Sequence, residues 1–406
     1  MYSNRKLSKK SRSRKINCLT NHKLKKLYRK AEFDREHDEV KEIETRIRSF
    51  VHEISEYIGC KDPLFKNFVI PSGSYYENLK VEGPDEFDFM MCLKALSKPG
   101  VCVSKDIPSR DVSDPGYVDV KIIDKASRRR WKDYIYRRKI LQADLLLERF
   151  QNLIKEAVSR RKRLSQDKIA ELVEIELRKI PVTVKVIWNG TKYSNYEISM
   201  DLTLCIEMSG WPAASNICQR VDINEHPRYD LFQEAVRAGH HLVASTIGES
   251  GKHGPCWRLS FSIPEGIVLN GIFKNAQSAS NAALKALKVL RKKLENYLCL
   301  FEDDSELDLN TLSISYNRIT WAFHSYVLKT MFLYEWTQFP YDSDWTMDKL
   351  GIRMKGILQR IRDSVVRKDI RSFWIPDYKL FNFQARKDTQ TAFCVNNLSS
   401  LLEQFS

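Results

Sequence analysis

Apolar residues recur every three or four positions from about residue 22 to Gly59. This spacing places them on one face of an α-helix. The apolar stripe consists of Val40, Ile43, Ile47, Phe50, Ile54 and Tyr57. The pattern predicts one long N-terminal helix whose first turns are basic and whose C-cap is Gly59, a residue suited to that position.

Alternation with a period of two predicts strands further along the chain. The stretch "EFDFMMCL" is one strand, "VTVKVIW" and "YEISMDLTLCIE" form a hairpin through Asn189 and Gly190, and "CWRLSFS" is a short later strand. Helical spacing covers about residues 141–179 and most of the chain after Trp211. The prediction is an α+β (mixed α/β) fold in three parts. These are a basic flexible tail at 1–20, the first helix with the strands at 21–211, and a mostly helical lobe at 212–406.

Two of the predicted strands carry carboxylates on their polar faces. Residues i and i+2 of a strand share a face, so Glu86 and Asp88 point the same way. Asp201 occupies the polar face of "YEISMDLTLCIE". A solvated sheet face explains Glu86 and Asp88 alone, but a third carboxylate on a neighbouring strand would complete a site for two hard divalent ions.

The segment before the first carboxylate contains Gly73 and Ser74. A glycine allows the backbone to approach a phosphate closely, and the Ser74 hydroxyl can hold phosphate oxygens. A helix that begins at Tyr75 would add a favourable dipole. A phosphate cradle followed by paired carboxylates and a later aspartate is the pattern of nucleotidyl transfer.

The net charge of the chain indicates which class of binding partner to expect. The 406 residues carry a formal charge of +15, and twelve of the first thirty are Lys or Arg. Such a balance favours polyanions, although the basic tail is equally consistent with a localisation signal. Nine cysteines without metal-ligand spacing indicate a reduced compartment, so we expect a cytoplasmic or a nuclear protein. The first twenty residues are basic and polar without an apolar h-region, and no later run approaches the roughly 20 apolar residues of a membrane span, so we expect neither secretion nor a membrane partner.

The segments "SGSYYENLK" and "EFDFMMCL" closely resemble the Mab-21/cGAS family of nucleotidyltransferases, the cyclic GMP-AMP synthase-like receptors. The resemblance continues in order through "ISMDLTL", "GWPAAS", "WRLSFS", "LKALKVL", "SYVLKT" and "FWIPDYKLF". It implies a bilobed enzyme with a DNA polymerase β-like core, a mostly helical C-terminal lobe and a long N-terminal spine helix. It also implies an enzyme activated by double-stranded nucleic acid, which joins two nucleoside triphosphates such as ATP and GTP into a cyclic dinucleotide.

The resemblance implies roles for individual positions. Glu86, Asp88 and Asp201 match the catalytic carboxylates that hold two Mg²⁺ (or Mn²⁺) ions, and Asp201 matches the group nearest the attacking hydroxyl. The positions that match nucleotide contacts are Ser72, Gly73, Ser74, Arg258, Ser260, Lys288, Ser325 and Tyr326. Among these, Lys288 and Ser325 match phosphate contacts, Tyr326 a base-stacking residue and Arg258 a base-reading residue. Considered singly, Lys288 also fits a solvated lysine, Tyr326 a core aromatic residue and Arg258 a surface ion-pair partner.

The activating ligand is predicted from a difference between this chain and the vertebrate members of the family. Vertebrate members of the family carry a zinc-binding His and Cys cluster after "WRLSFS", whereas residues 263–282 contain neither residue type. We therefore expect no structural zinc and favour double-stranded RNA over double-stranded DNA, because duplex RNA is recognised by shape and backbone. The resemblance also allows a dimer on nucleic acid. The expected phosphate contacts are Lys23, Lys26, Lys30, Lys285 and Lys292.

Two other functions stay open on the sequence. A related nucleotidyltransferase would make linear 2′,5′-linked oligoadenylate, and a non-catalytic Mab-21-like relative would be a binding or scaffold protein. The presence of all three carboxylates favours catalysis. A second basic cluster around Trp131 is either a solvated helix face or a further ligand surface. Its members are Arg128, Arg129, Arg130, Arg137 and Arg138.

Overall fold

The structure is a computed structural model that describes residues 20–105, 115–136, 139–164, 172–176, 181–245, 256–274, 278–299, 324–381 and 388–403. The predicted tail lies outside these ranges except for Thr20. The strands are β1 (Asn67–Ser72), β2 (Glu86–Leu93), β3 (Cys102–Lys105), β4 (Tyr117–Ile122), β5 (Ile135–Tyr136), β6 (Ile140–Leu141), β7 (Leu172–Glu176), β8 (Val182–Trp188), β9 (Tyr196–Met208), β10 (His240–Ser245) and β11 (Cys256–Ser260).

The helices are α1 (Asn21–Ala31), α2 (Asp38–Lys61), α3 (Gly73–Tyr76), α4 (Lys125–Arg130), α5 (Ala143–Leu164), α6 (Val221–Asn224), α7 (Tyr229–Arg237), α8 (Ser262–Phe273), α9 (Ala279–Cys299), α10 (Ser325–Gln338), α11 (Leu350–Val366) and α12 (Asp388–Leu402). The mixed α/β class and the mostly helical second half are confirmed. Among the described residues, no helix has the length and apolar character needed to cross a bilayer.

The sheet is organised around β9. One edge of β9 pairs in parallel with β2, and the other pairs antiparallel with β8 and then β10. Strand β1 lies beyond β2, while β11, β4, β6 and β5 follow β10. Apolar residues on alternate positions of β2 and β9, such as Phe87 and Met200, are fully buried. This burial fixes which face of each strand carries the polar residues, because a slip of one residue would reverse the faces.

The predicted N-terminal helix is two helices. The structure divides it into α1 and α2, with a break at residues 32–37. Within the break, Arg35 stacks over the ring of Tyr75 at 4.4 Å and donates to the Tyr75 carbonyl oxygen at 2.7 Å. His37 then accepts from the Glu39 amide at 3.2 Å and caps α2. Helical spacing does not reveal the break, because its main contact joins residues 40 positions apart.

The basic helix α1 packs against α9 and α11, both in the second half of the chain. Leu24 is fully buried, and Asn21 accepts from the Gly351 amide at 2.6 Å. Helix α1 is therefore fixed on the helical lobe, while α2 packs against β1 and α5. Helix α2 continues past Gly59, the expected C-cap, and ends at Lys61.

Three other expectations are corrected by strand pairing. The predicted helix at 141–179 ends as α5 at Leu164, and residues Leu172–Glu176 form β7 because they pair with β8. The hairpin between β8 and β9 is confirmed, but its loop covers residues 189–195 and not only Asn189 and Gly190. The expected boundary near residue 211 falls within the sheet, since β10 and β11 follow it in sequence.

Glu39 ties the start of α2 to the β8–β9 loop. Its carboxylate accepts from the Trp188 indole at 3.0 Å, the Thr191 hydroxyl at 3.0 Å, and the amides of Lys192 at 2.7 Å and Tyr193 at 3.0 Å. Burial favours the neutral form, but these four donors outweigh it and lower the pKa of Glu39 to about 2. The side chain is therefore a buried carboxylate that is fully hydrogen-bonded.

Replacing Glu39 with Gln should destabilise the protein by about 2 kcal/mol at pH 7, because the amide NH₂ of glutamine would face a backbone N–H. The folded-state pKa lies below the unfolded value, so the wild-type advantage is present above about pH 4.5 and is lost as the pH falls towards 2. Urea unfolding at pH 7 and pH 3.5 measures both effects. Glu42→Gln, an exposed change on the same helix, should cost less than about 0.5 kcal/mol. An equal loss in both variants, or no pH dependence of the difference, would contradict this role.

Candidate active site

The three predicted carboxylates meet at the junction of β2 and β9. The parallel pairing places Asp88 directly beside Asp201, and Glu86 lies two residues earlier on the same strand. One carboxylate oxygen from each of the three side chains lies within 4.8 Å of the others, and all three side chains are half-buried. The group predicted from alternation along separate strands is therefore a single cluster.

The negative charges of this cluster favour the binding of a cation. Burial, together with the charges of Glu86 and Asp201, raises the pKa of Asp88 to about 7. Thr183, which lies beside Asp201 on β8, donates to Asp201 Oδ1 at 2.6 Å and orients it. Three oxygen donors at this spacing fit a hard divalent ion, which would remove the repulsion between them.

Gly73 lies against the carboxylate cluster. Its φ of +76° is in the left-handed region that favours glycine, and a Cβ at this position would lie 1.9 Å from Asp88 Oδ2. The antiparallel pairing of β1 with β2 brings Ser72 beside Asp88 and produces this approach. The sequence suggests that this glycine lets a phosphate approach the backbone. The structure shows in addition that a side chain at position 73 would collide with Asp88.

Helix α3 is shorter than the dipole argument required. It begins at Gly73, two residues before the expected start, and contains only four residues. Ser74 therefore lies inside one helical turn directly next to the cluster. A dipole of useful size needs a longer helix, so any phosphate contact here would depend on the Ser74 hydroxyl and the local N–H groups.

The helical lobe holds the segment that follows α3. Lys329 of α10 lies 3.1 Å from Glu77 and forms a second ion pair with Glu265 of α8. The two glutamates raise the pKa of Lys329 despite its burial, and burial raises the pKa of Glu265. Sequence reasoning missed this buried triad. The charged residues within the otherwise apolar α8 and α10 were the available signal.

Lys288 and Ser325 lie on helices that face this segment. Lys288 of α9 donates to the Leu79 carbonyl oxygen at 3.0 Å, and burial with the nearby Lys329 and Lys80 lowers its pKa to about 8. Ser325 begins α10 and accepts from Arg291 at 3.4 Å. The described conformation therefore places Lys288 beside the loop, near the carboxylates, with its ammonium group on a backbone carbonyl.

Arg258 and Tyr326 line one cavity of about 300 Å³. The walls also include Phe261 and Tyr378, which lie within the quoted segments "WRLSFS" and "FWIPDYKLF" but were given no role there, and His324, which precedes "SYVLKT". Burial raises the pKa of Tyr326 to about 12, so its hydroxyl stays protonated. Ser260 does not line the cavity, and its hydroxyl lies 3.1 Å from that of Ser262.

The predicted nucleic-acid contacts are distributed over two adjacent helices, α1 and α9. Lys23 and Lys26 are exposed on α1. Lys285 of α9 is 5% exposed and lies 3.4 Å from Glu32, so in this conformation its charge faces a carboxylate and not solvent. The side chains of Lys30 and Lys292 lie outside the described residues, as do Arg137 and Arg138 of the second basic cluster.

Two family models match the chain. Residues 75–271 match the Mab-21 protein nucleotidyltransferase domain, and residues 282–400 match the Mab-21 protein HhH/H2TH-like domain. The chain belongs to the Mab-21 family. The range that matches the nucleotidyltransferase domain contains the carboxylate cluster and the Arg258 wall of the cavity, and Gly73 and Ser74 directly precede it. Nucleotidyltransferases of this type use divalent metal ions, and Glu86, Asp88 and Asp201 are the residues that would hold them.

Curated relatives have similar sequences. The chain is 26% identical to the cyclic GMP-AMP synthase of Mus musculus over 370 residues, which cover 89% of this chain and 65% of that protein. It is 25% identical to the cyclic GMP-AMP synthase of Sus scrofa over 319 residues, covering 77% and 58% of the two chains. The chain thus spans less than two-thirds of the length of these relatives.

Replacing Gly73 with Ala should lower Mn²⁺ affinity by about tenfold or more, because the new methyl group would displace Asp88. Gly100 is a matched control, with a φ of +77° and no atom within 4 Å of the place that a Cβ would take. Gly100→Ala should cost only about 1 kcal/mol of backbone strain and leave Mn²⁺ binding unchanged. Thermal unfolding and calorimetric Mn²⁺ titration measure the two effects. Equal Mn²⁺ affinities in the two variants would refute the contact between position 73 and Asp88.

Proposed function

We propose that this protein is a cyclic dinucleotide synthase that double-stranded nucleic acid activates. The observation that carries the proposal is the complete cluster of Glu86, Asp88 and Asp201, with Gly73 and Ser74 directly beside it. The names of the relatives support a cyclic product, since both are cyclic GMP-AMP synthases. The proposed substrates are ATP and GTP, and the proposed location is the cytoplasm or the nucleus.

The reaction would form a bond between a ribose hydroxyl oxygen of one nucleotide and the α-phosphorus of another, and break the bond to pyrophosphate. Two Mg²⁺ or Mn²⁺ ions, when bound, would neutralise charge on the phosphates and activate the hydroxyl. Asp201, oriented by Thr183, would accept the hydroxyl proton. A second round of the same chemistry would close the ring and release a second pyrophosphate.

The chain's other residues would bind and orient the nucleotides. Ser74 lies on the segment next to the carboxylates, and Lys288 and Ser325 lie on helices that face it. All three would contact the phosphates, with Lys288 released from the Leu79 carbonyl oxygen. The cavity beside Arg258 and Tyr326 would take a nucleobase, since an aromatic ring stacks on any base and a guanidinium donates to base acceptors.

The activator in this proposal is double-stranded RNA. Exposed Lys23 and Lys26 lie on α1, which packs on α9 of the helical lobe, and they would contact the phosphates of the duplex. Lys285 would join them if it left Glu32. The proposal assigns further phosphate contacts to Lys30 and Lys292. Contacts of lysine with phosphates suit a ligand that is recognised by backbone and shape. Two copies on one duplex would form the expected dimer.

Incubation of purified protein with labelled ATP and GTP, Mg²⁺ or Mn²⁺, and duplex RNA should give one cyclic product by chromatography. Glu86→Gln combined with Asp88→Asn should reduce product about 10³-fold, because two ligands of the ions are lost while side-chain volume is kept. The double variant should still fold and bind duplex RNA.

The other outcomes separate the alternatives. Linear chains in place of one cyclic species would identify an oligoadenylate-type synthase. Product with duplex DNA only would reverse the choice of activator. No product with either duplex would favour a non-catalytic scaffold, and full activity in the double variant would refute the site.

Replacing both Lys23 and Lys26 with Ala should weaken duplex RNA binding and reduce the slope of log K against log salt by about 2, since each phosphate contact contributes about 0.9. Fluorescence anisotropy at several salt concentrations measures the slope. The control is the pair Lys94→Ala and Lys98→Ala, two exposed lysines after β2. If the two double variants have the same slope, α1 does not contact the duplex.

A further inference from the structure

Lys80 is a charged residue beside the carboxylate cluster to which the proposed reaction assigns no role. Its side chain is 10% exposed. The ammonium nitrogen lies 2.7 Å from Glu86 Oε2 and 2.7 Å from Asp85 Oδ1. One of the three carboxylates expected to hold a divalent ion is therefore already paired with a cation from the chain itself.

Lys80 keeps its positive charge in this position. Its ammonium group forms ion pairs with the carboxylates of both Asp85 and Glu86. The Glu86 oxygen that accepts from the ammonium group at 2.7 Å gives one of its lone pairs to Lys80, so it is a weaker ligand for a metal ion while this ion pair lasts. The positive charges of a bound ion and of Lys80 would also repel each other at this distance.

Two backbone carbonyl groups directly before Lys80 accept hydrogen bonds from the helical lobe. Asn281 donates to the Asn78 carbonyl oxygen at 2.9 Å, and Lys288 donates to the Leu79 carbonyl oxygen at 3.0 Å. Both donors lie on α9. The position of the Lys80 ammonium group therefore depends on where α9 lies relative to β2.

Helix α9 also contacts α1, which carries the exposed basic residues. Lys285 lies one turn before Lys288 on α9 and pairs with Glu32 at the end of α1. A displacement of α1 relative to α9 would act on the same helix that holds residues 78 and 79. The contacts thus form a continuous series from α1 to the carboxylate cluster.

We propose that Lys80 is a positioning residue that competes with the divalent ion for Glu86. In the conformation described here it lowers metal affinity, and withdrawal of its ammonium group makes Glu86 available to the ion. This inference deepens the proposed function and rests on its metal site, but it does not depend on the product. According to this proposal, the contact between α9 and residues 78–80 controls metal binding.

Calorimetric or EPR titration with Mn²⁺ tests the competition without any turnover. Lys80→Met should bind Mn²⁺ about 3- to 10-fold more tightly than the wild type, because the competing charge is gone. Lys80→Arg keeps the charge and should stay within about twofold of the wild type. Lys61→Met removes a lysine that pairs with Glu156 away from the cluster, and it should leave the Mn²⁺ affinity unchanged.

A structural role for Lys80 predicts the opposite sign. If Lys80→Met binds Mn²⁺ equally or more weakly, Lys80 orders the carboxylates and the inference is overturned. Thermal unfolding adds a second readout: Mn²⁺ should raise the Tm of the Met variant more than that of the wild type. Should the Met variant fail to fold, Lys80→Gln replaces it and carries the same expectations.

The failure of the inference can be distinguished from the failure of the proposed function. The Glu86→Gln and Asp88→Asn double variant should lose Mn²⁺ binding altogether. Retained binding there would remove the metal site and the proposed function with it. Lost binding in the double variant, together with unchanged affinity in Lys80→Met, would overturn only the role of Lys80.

Discussion

The repulsion among Glu86, Asp88 and Asp201 is the interaction around which this site is arranged. Three carboxylates with oxygens within 4.8 Å destabilise one another, and burial together with the charges of Glu86 and Asp201 raises the pKa of Asp88 to about 7. The surrounding structure offsets the repulsion with Thr183, which donates to Asp201, and Lys80, which pairs with Glu86. A bound divalent ion would offset it more completely, which is why the cluster indicates a metal site and not a solvated sheet face.

Strand pairing holds the repelling groups together. Phe87 and Phe89 are buried on one face of β2, as are Met200 and Leu202 on β9, so neither strand can shift by one residue without exposing them. The hydrophobic effect thus maintains the register that brings Asp88 beside Asp201. The close approach of Gly73 has the same origin, since β1 pairs with β2 on its other edge.

The segment from Gly73 to Lys80 connects this sheet to the helical lobe. Glu77 pairs with Lys329, and the Leu79 carbonyl oxygen accepts from Lys288, so the segment contacts charged groups from two helices of that lobe. Buried ionic contacts of this kind are sensitive to small displacements, because each charge loses its partner without regaining water. A segment held in this way can transmit a movement of α9 to the carboxylates.

The sequence by itself determined the strands of the site, the polar face of each strand and the class of chemistry, because alternation and residue type are local properties. It failed where distant contacts override local spacing, as at the break before α2, where Arg35 binds Tyr75, and at β7, which pairs with β8. Only the tertiary structure decided that Asp88 and Asp201 are neighbours, that Gly73 touches Asp88, and that Lys80 forms an ion pair with Glu86. These facts depend on which strands pair and on how the helical lobe packs, and such long-range packing leaves no periodic signal in the sequence.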